Sequence, residues 1–339
     1  MILVTGGTGL VGSHLLLELL KSGKKARAIY RDESKRLKVK NVFSYYLPKK
    51  EAEFLFDSVE WIKADILDIP SLTNAFQNIK YVYHCAALVS FNAKKAKELR
   101  VTNIEGTANI VNTCIQFNVE KLCHVSSIAA MDLALGEGEV SENFTWYPEK
   151  EHSDYAISKY GGEMEVWRGT QEGLPSVVLN PGVILGPGFW DSGSGKIFKK
   201  VDTGLKYHFP KVTGFVGVQD VAKAAILLMG SEIKNEQFIL VSENLSFKKV
   251  LSLAAQSLQK KEPYKPLKPW MVFIGWLYES ITNLLWSAKK QLSRNDYKSL
   301  FENSYYNNDK IKERTGFVFT PMKEVIKETG RNYLKDLTN

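Results

Sequence analysis

Cysteine is scarce in this chain, with three in 339 residues, Cys85, Cys114 and Cys123. They lie in apolar contexts, cannot all pair and show no metal-ligand spacing. A disulfide framework and a metal centre are therefore not expected, and a reducing compartment, the cytoplasm, fits. A long apolar run is missing as well. The most apolar stretch, PWMVFIGWLYESITNLLW, is interrupted by Glu279 and Asn283 and falls short of the roughly 20 apolar residues of a spanning helix. The opening MILVTGG already reads as a strand and its turn, which leaves no room for the charged and apolar regions of a signal peptide. No internal repeat or low-complexity linker occurs. The Lys and Arg residues behind the net charge of +8 are dispersed, gathering only in short clusters such as RDESKRLKVK. Dispersed charge is a solvated surface, so nucleic acid is not an expected partner and a phosphate-bearing small molecule is.

What is present is alternation. With 44% hydrophobic and 24% charged residues the composition is globular. Short apolar runs (ILVTG, KARAIY, VEWIKAD, YVYHCA, KLCHVSS, SVVLNP) alternate with helix-like stretches such as LVGSHLLLELLKSG. That order predicts an α/β fold of parallel βαβ units, and runs apolar throughout predict strands covered on both faces. The segment GPGFWDSGSGK within residues 186–214 reads as a loop region. Beyond about Glu243 the alternation stops and the chain reads as mainly helical. There Trp270, Phe273, Ile274, Leu277, Ile281, Leu284 and Leu285 form one apolar stripe at helical spacing. Packing onto the body of the protein, a lid over a lipophilic substrate, and a membrane-surface or homodimer contact all stay open for it.

VTGGTGLVGSHLLLELL places Gly6, Gly9 and Gly12 after the first strand and at the opening of the first helix. Glycines permit the tight turn and let backbone N–H groups and the positive helix end approach a pyrophosphate, which predicts a dinucleotide site. The expected body is a doubly wound, parallel-sheet Rossmann domain over residues 1–185 and about 215–243. A smaller, mainly helical substrate region takes about 186–214 and 244–339. At the end of the second strand an acidic residue would hold the ribose of NAD, and a basic one the 2′-phosphate of NADP. Arg31 falls at that point, with Lys35, Arg36 and Lys38 behind it, and NADP is expected; a strand one residue longer would put Asp32 there and favour NAD. Asp65 ends the third strand, where its carboxylate could accept from the adenine amino group while Ile66 packs on the ring. The other reading is a cap for the next helix.

Hydride transfer to a carbonyl leaves an alkoxide that needs a proton donor. Free tyrosine has a pKa near 10, and an ammonium close by would lower it and could also hold the nicotinamide ribose. In SDYAISKYGGE, Tyr155 and Lys159 stand one helical turn apart, and KLCHVSSIAA puts Ser126 and Ser127 just past an apolar strand, where ligands of parallel sheets collect.

TGGTGLVG, ADILD, HCAA, TNIEGT, HVSSIAA, YAISK, LNPGVILGPG and FVGVQDVAKA occur in this order between Ile2 and about Ala225, and on them the chain resembles the extended short-chain dehydrogenase/reductases. The resemblance implies Ser127, Tyr155 and Lys159 as the catalytic triad, with Asn103 helping to hold a proton-relay water. It implies cofactor contacts from Thr5, Gly6, Gly9, Leu10, Val11 and Gly12, from Ala86 and Ala87 of HCAA, and from Pro181 and Val183 beside the nicotinamide. The branch most resembled is that of the dihydroflavonol reductases and 3β-hydroxysteroid dehydrogenases, in which Arg31 and Lys38 match 2′-phosphate contacts. Dehydratases of the family carry Thr-Asp-Glu where this chain has Ser127-Ile128-Ala129, which argues against dehydration. His84 is expected to pack, His124 to be a satisfied core residue, Asp132 to be available to a polar substrate group and Asp220 to cap a helix.

The leading expectation is an NAD(P)-dependent carbonyl reductase or alcohol dehydrogenase for an aromatic or lipid-like secondary alcohol or ketone. A nucleotide-sugar epimerase with a retained cofactor is the alternative, with Lys196 and Arg294 as candidate pyrophosphate contacts. A non-catalytic NADP sensor is the third reading, and the intact Ser, Tyr and Lys set counts against it.

Overall fold

The computed structural model describes residues 1–134, 136–268, 271 and 301–338. The apolar stripe from Trp270 to Leu285 and Arg294 lie outside the described residues. In chain order the elements are β1 (Ile2–Thr5), α1 (Leu10–Lys21), β2 (Ala26–Tyr30), α2 (Glu33–Ser44), α3 (Lys49–Asp57), β3 (Glu60–Lys63), α4 (Ile69–Ala75), β4 (Tyr81–His84), α5 (Ala96–Arg100), α6 (Gly106–Gln116), β5 (Lys121–Val125), α7 (Asp154–Gln171) and β6 (Ser176–Pro181). They continue with β7 (Val183–Leu185), α8 (Lys196–Asp202), β8 (Tyr207–His208), β9 (Val212–Gly217), α9 (Val218–Met229), β10 (Glu236–Leu240), β11 (Glu243–Ser246), α10 (Phe247–Ser257), β12 (Lys265–Pro266), α11 (Asp309–Thr315) and α12 (Met322–Thr338).

Seven strands form one parallel sheet in the order β10-β6-β5-β4-β1-β2-β3. The chain runs outward from β1 to β3, returns, and runs the other way from β4, so the order reverses between β1 and β4. Folds of this kind bind ligands beyond the carboxyl ends of the strands at such a reversal. Neighbouring residues of each strand serve opposite faces, as strand geometry requires. Val4, Ala28, Tyr83 and Cys123 pack with α1, α2 and α9, whereas Leu3, Ile29, Val82 and Leu122 pack with α4, α6 and α7. Covering on both faces explains the uniformly apolar runs. The edge strand β3 departs from that pattern, with Glu60 and Lys63 exposed.

The stretch expected to be a loop holds α8 and β8, and the chain beyond Glu243 begins with a strand. β7, β9 and β11 make a second, three-stranded sheet, in which β11 runs antiparallel to β9. Leu185, Phe215, Phe198, Val250, Met322 and Ile326 build its core with α8, α10 and α12. Among the described residues no helix is long and apolar enough to cross a membrane.

Candidate active site

The phosphate turn is set by contacts too close for any side chain. Gly6 has φ +65°, and a Cβ there would stand 2.6 Å from the Ala86 nitrogen. A Cβ on Gly12 would meet the Gly6 carbonyl oxygen at 2.3 Å. Gly9 caps α1 with extended backbone, and its own Cβ would meet only that oxygen at 3.4 Å, so this side of the turn is open. Leu10 and Val11 begin the helix, half-buried. A cradle made of glycine backbone at a helix N-terminus fits a pyrophosphate.

The rim beside it settles where β2 ends. Tyr30 is its last residue, Arg31 follows with an exposed side chain, and Asp32 accepts from the Ser34 N–H at 2.9 Å as the N-cap of α2. Asp32 is thereby committed to its helix. Arg31 reaches across to Asp65 at 3.4 Å. Asp65 turns its other oxygen to the Leu67 N–H, while the cap of α4 is Asp68. Ile66 is buried beside Gly106. Lys38 is exposed on α2, within electrostatic reach of Asp191. Ala86 lies against Gly6, whereas Ala87 is exposed. Pro181 ends β6 buried, and Val183 opens β7, half-buried, after Gly182.

On the carboxyl side of β5, Ser127 holds extended backbone and accepts from the Ala129 N–H at 3.1 Å. Its hydroxyl faces the Tyr155 phenol. Ser153 caps α7, which fixes Tyr155 in the first turn and Lys159 one turn on. Phe91, exposed, meets the Tyr155 ring edge-on at 5.6 Å. Burial raises the Tyr155 pKa and the neighbouring Ser127 hydroxyl opposes it. Desolvation decides the direction, in place of the lowering expected from an ammonium, and the phenol stays protonated. Lys159 donates from Nζ to the Val125 carbonyl at 2.8 Å, and burial lowers its pKa to about 8. A protonated phenol, a second hydroxyl and a buried amine at one sheet edge can deliver a proton to an oxyanion.

The interior behind these groups is polar. The Thr107 hydroxyl donates to the Asn103 carbonyl at 2.7 Å, so it accepts from His84 Nε2 at 3.0 Å. The remaining nitrogen, Nδ1, then accepts from the Thr5 hydroxyl at 2.7 Å, and Thr5 accepts from the Ala86 N–H. His84 is accordingly a neutral connector between β1, β4 and the helix of Asn103. Burial and the Lys159 charge push its pKa down to about 3. Asn103 sits in a π-helical turn, Val101–Glu105, and its side chain bonds both backbone groups of Leu88 and the Ser158 hydroxyl.

Three expectations change. His124 is not satisfied: its ring lies tilted against His84 at 5.1 Å, with neither nitrogen hydrogen-bonded. Asp132 accepts from the Tyr147 N–H at 3.0 Å and faces His152, so its carboxylate is taken. Asp220 accepts from the N–H and hydroxyl of Thr320, tying down the C-terminal chain rather than capping α9.

The family model for the NAD dependent epimerase/dehydratase family matches residues 2–240. The chain belongs to that family. Among its relatives in the epimerase/dehydratase family is a Synechocystis sp. protein with dihydroflavonol 4-reductase in its name, 26% identical over 341 residues that cover 95% of this chain and 91% of the relative. Sterol demethylase protein B of Methylococcus capsulatus is 27% identical, covering 79% and 77%. In fold, the chain is similar to the UDP-glucose 4-epimerase of Thermotoga maritima solved with UDP-glucose, with a TM-score of 0.76, 21% identity and coverage of 99% of both chains. This member of the epimerase/dehydratase family is therefore an NAD(P)-dependent enzyme of the extended short-chain type.

Sequence reasoning missed Glu163 and the side chain of Asn180. Asn180 Nδ2 donates to Glu163 Oε1 at 2.6 Å and to the Ser127 carbonyl at 3.2 Å. The signal was legible, since Glu163 stands four residues after Lys159 and therefore on its face of α7.

Proposed function

We propose that the protein is an NADP-dependent carbonyl reductase for a ketone carried on an aromatic or lipid-like body. The bound nicotinamide supplies the hydride. Thr5, Gly6, Gly9, Leu10, Val11 and Gly12 would hold the pyrophosphate side, Arg31 the 2′-phosphate, and Asp65 and Ile66 the adenine. Ala86, Ala87, Pro181 and Val183 would line the nicotinamide end, and Lys159 would turn its free donors to the ribose. Ser127 holds the substrate oxygen against Tyr155, and Tyr155 gives it the proton. Asn103 fixes the turn of helix facing Lys159. Residues about 186–214 and 244–339 would form the substrate region, and the exposed ring of Phe91 suits a flat apolar body.

The observation that carries this reading is the Ser127 hydroxyl facing a still-protonated Tyr155, with the Lys159 amine one turn further along α7. A phenol held neutral is poised as the acid of a reduction. The commitment of Asp32 to its helix, with Arg31 left exposed, supports NADP over NAD. NADPH oxidation with a panel of aryl ketones, sterol ketones and UDP-glucose tests the reading. Turnover of ketones is expected; conversion of the sugar nucleotide alone, with a cofactor that survives purification, would replace it with the epimerase.

A further inference from the structure

We propose that Glu163 is a positioning residue for Lys159, a carboxylate behind the active site that keeps the Lys159 ammonium in place and charged while Tyr155 works. The proposal rests on the reductase reading above for its consequence, although not for its geometry.

Glu163 is fully buried and Lys159 is 3% exposed, one turn apart on the same face of α7. Charged groups are rarely buried completely without a partner, because desolvation is costly. A carboxylate present only to join α7 to β6 would be expected to bond both oxygens. Asn180 occupies one of them, at 2.6 Å; the buried Ser126 hydroxyl lies near the carboxyl and favours its charged form, but its geometry leaves both Oε2 and Ser126 Oγ without a well-formed hydrogen bond. Lys159 likewise has a single hydrogen-bond partner, the Val125 carbonyl. The two ionisable groups do not touch as an ion pair, so they act across the dry interior, where little screens them. Each raises the charged fraction of the other.

The surroundings offer no substitute. Facing the pair are Tyr160 from α7, His84 and Cys85 from the end of β4, His124 from β5, Ser126, and Asn180 from β6. Burial keeps His84, His124 and Cys85 neutral. Glu163 is therefore the one acidic group in that set that can balance the ammonium. Burial raises its own pKa to about 7, against about 8 for Lys159. Between those values both are charged, and Lys159 is a cation available to the ribose and to a developing tyrosinate.

The test is the titration of Lys159 in the full-length protein, read from its side-chain ¹³Cε NMR signal without substrate and assigned with Lys159→Arg. In Glu163→Gln, which retains the size and the bond from Asn180, the Lys159 midpoint should fall by about one pH unit or more, and the alkaline limb of kcat/KM should move down with it. Glu163→Asp, which keeps the charge, should restore at least half of that shift. An unchanged Lys159 titration in Glu163→Gln would overturn the proposal, even if the variant lost stability. If that variant does not fold, a wild-type Lys159 signal that follows a single titration step, with no second inflection from a coupled acidic group at any pH, overturns it equally. Because the NMR readout needs no turnover, it stands or falls independently of whether the enzyme reduces ketones.

Discussion

At the scale of single residues, the site separates groups that do chemistry from groups that hold them. Tyr155→Phe removes the proton and leaves the ring against Phe91, so kcat should fall roughly a hundred- to ten-thousand-fold, as for loss of a general acid. NADPH affinity, measured by fluorescence titration, should stay within about twofold. Arg31→Asp replaces the exposed cation that directly follows β2 with a like charge for the 2′-phosphate. A charge-assisted hydrogen bond contributes about 1.5–3 kcal/mol, so Kd for NADPH should rise about ten- to hundredfold and Kd for NADH far less. Equal losses for both would reject the 2′-phosphate role. Ser127, Tyr155, Lys159 and Arg31 could be picked out in the sequence because their chemistry depends on spacing and on strand ends. Thr107 and the state of His124 could not, because their meaning lies in burial and in partners brought from distant segments; for Glu163 the spacing shows the face it shares with Lys159 but not its burial.

At the scale of elements, α7 does two things at once: it carries Tyr155 and Lys159 and lies almost on the backbone of the π-helical turn. A Cβ on Gly162 would stand 2.6 Å from the Asn103 carbonyl oxygen, while one on Gly161 would meet the Ile104 side chain at 2.5 Å. Backbone cannot yield and an isoleucine tip can turn. Gly162→Ala should therefore cost about 1–3 kcal/mol, the usual range for overpacking, and lower kcat by displacing Tyr155. Gly161→Ala should cost less in both urea unfolding and turnover. The parallel strands were legible in the sequence because a strand buried on both faces is apolar at every position. β7, β9 and β11 were not. β7 and β11 are short, β9 contains glycines, and Glu243–Ser246 of β11 are half-buried without alternation; the backbones there lie so close that a Cβ on Gly182 would stand 2.5 Å from the Gly214 carbonyl oxygen, a closeness no periodic signal announces.

At the scale of the whole molecule, the cofactor cradle is a junction between parts of the chain far apart in sequence. Thr5 is tied through His84 and Thr107 to Asn103, and Gly186, which follows β7, packs against Val218 and Leu10 at the start of α1. Asp336 near the C-terminus accepts from the Trp190 indole at 2.7 Å and from the Tyr45 hydroxyl, joining α12 to α2 beside the cradle. A ligand seated there should stabilise the molecule as a unit, because it binds the native state and not the unfolded chain. At a hundred times its Kd, NADP would add about 2.7 kcal/mol. With roughly 2–4 °C per kcal/mol for chains of 150–250 residues, and somewhat less for 339, Tm should rise by about 5 °C. NAD at the same concentration should raise it by no more than about half as much, since Arg31 gains nothing from a free 2′-hydroxyl. In Arg31→Asp the two curves should converge. Differential scanning fluorimetry of both proteins against both dinucleotides checks this, and an NAD shift equal to the NADP shift in the unsubstituted protein would assign the cofactor the other way.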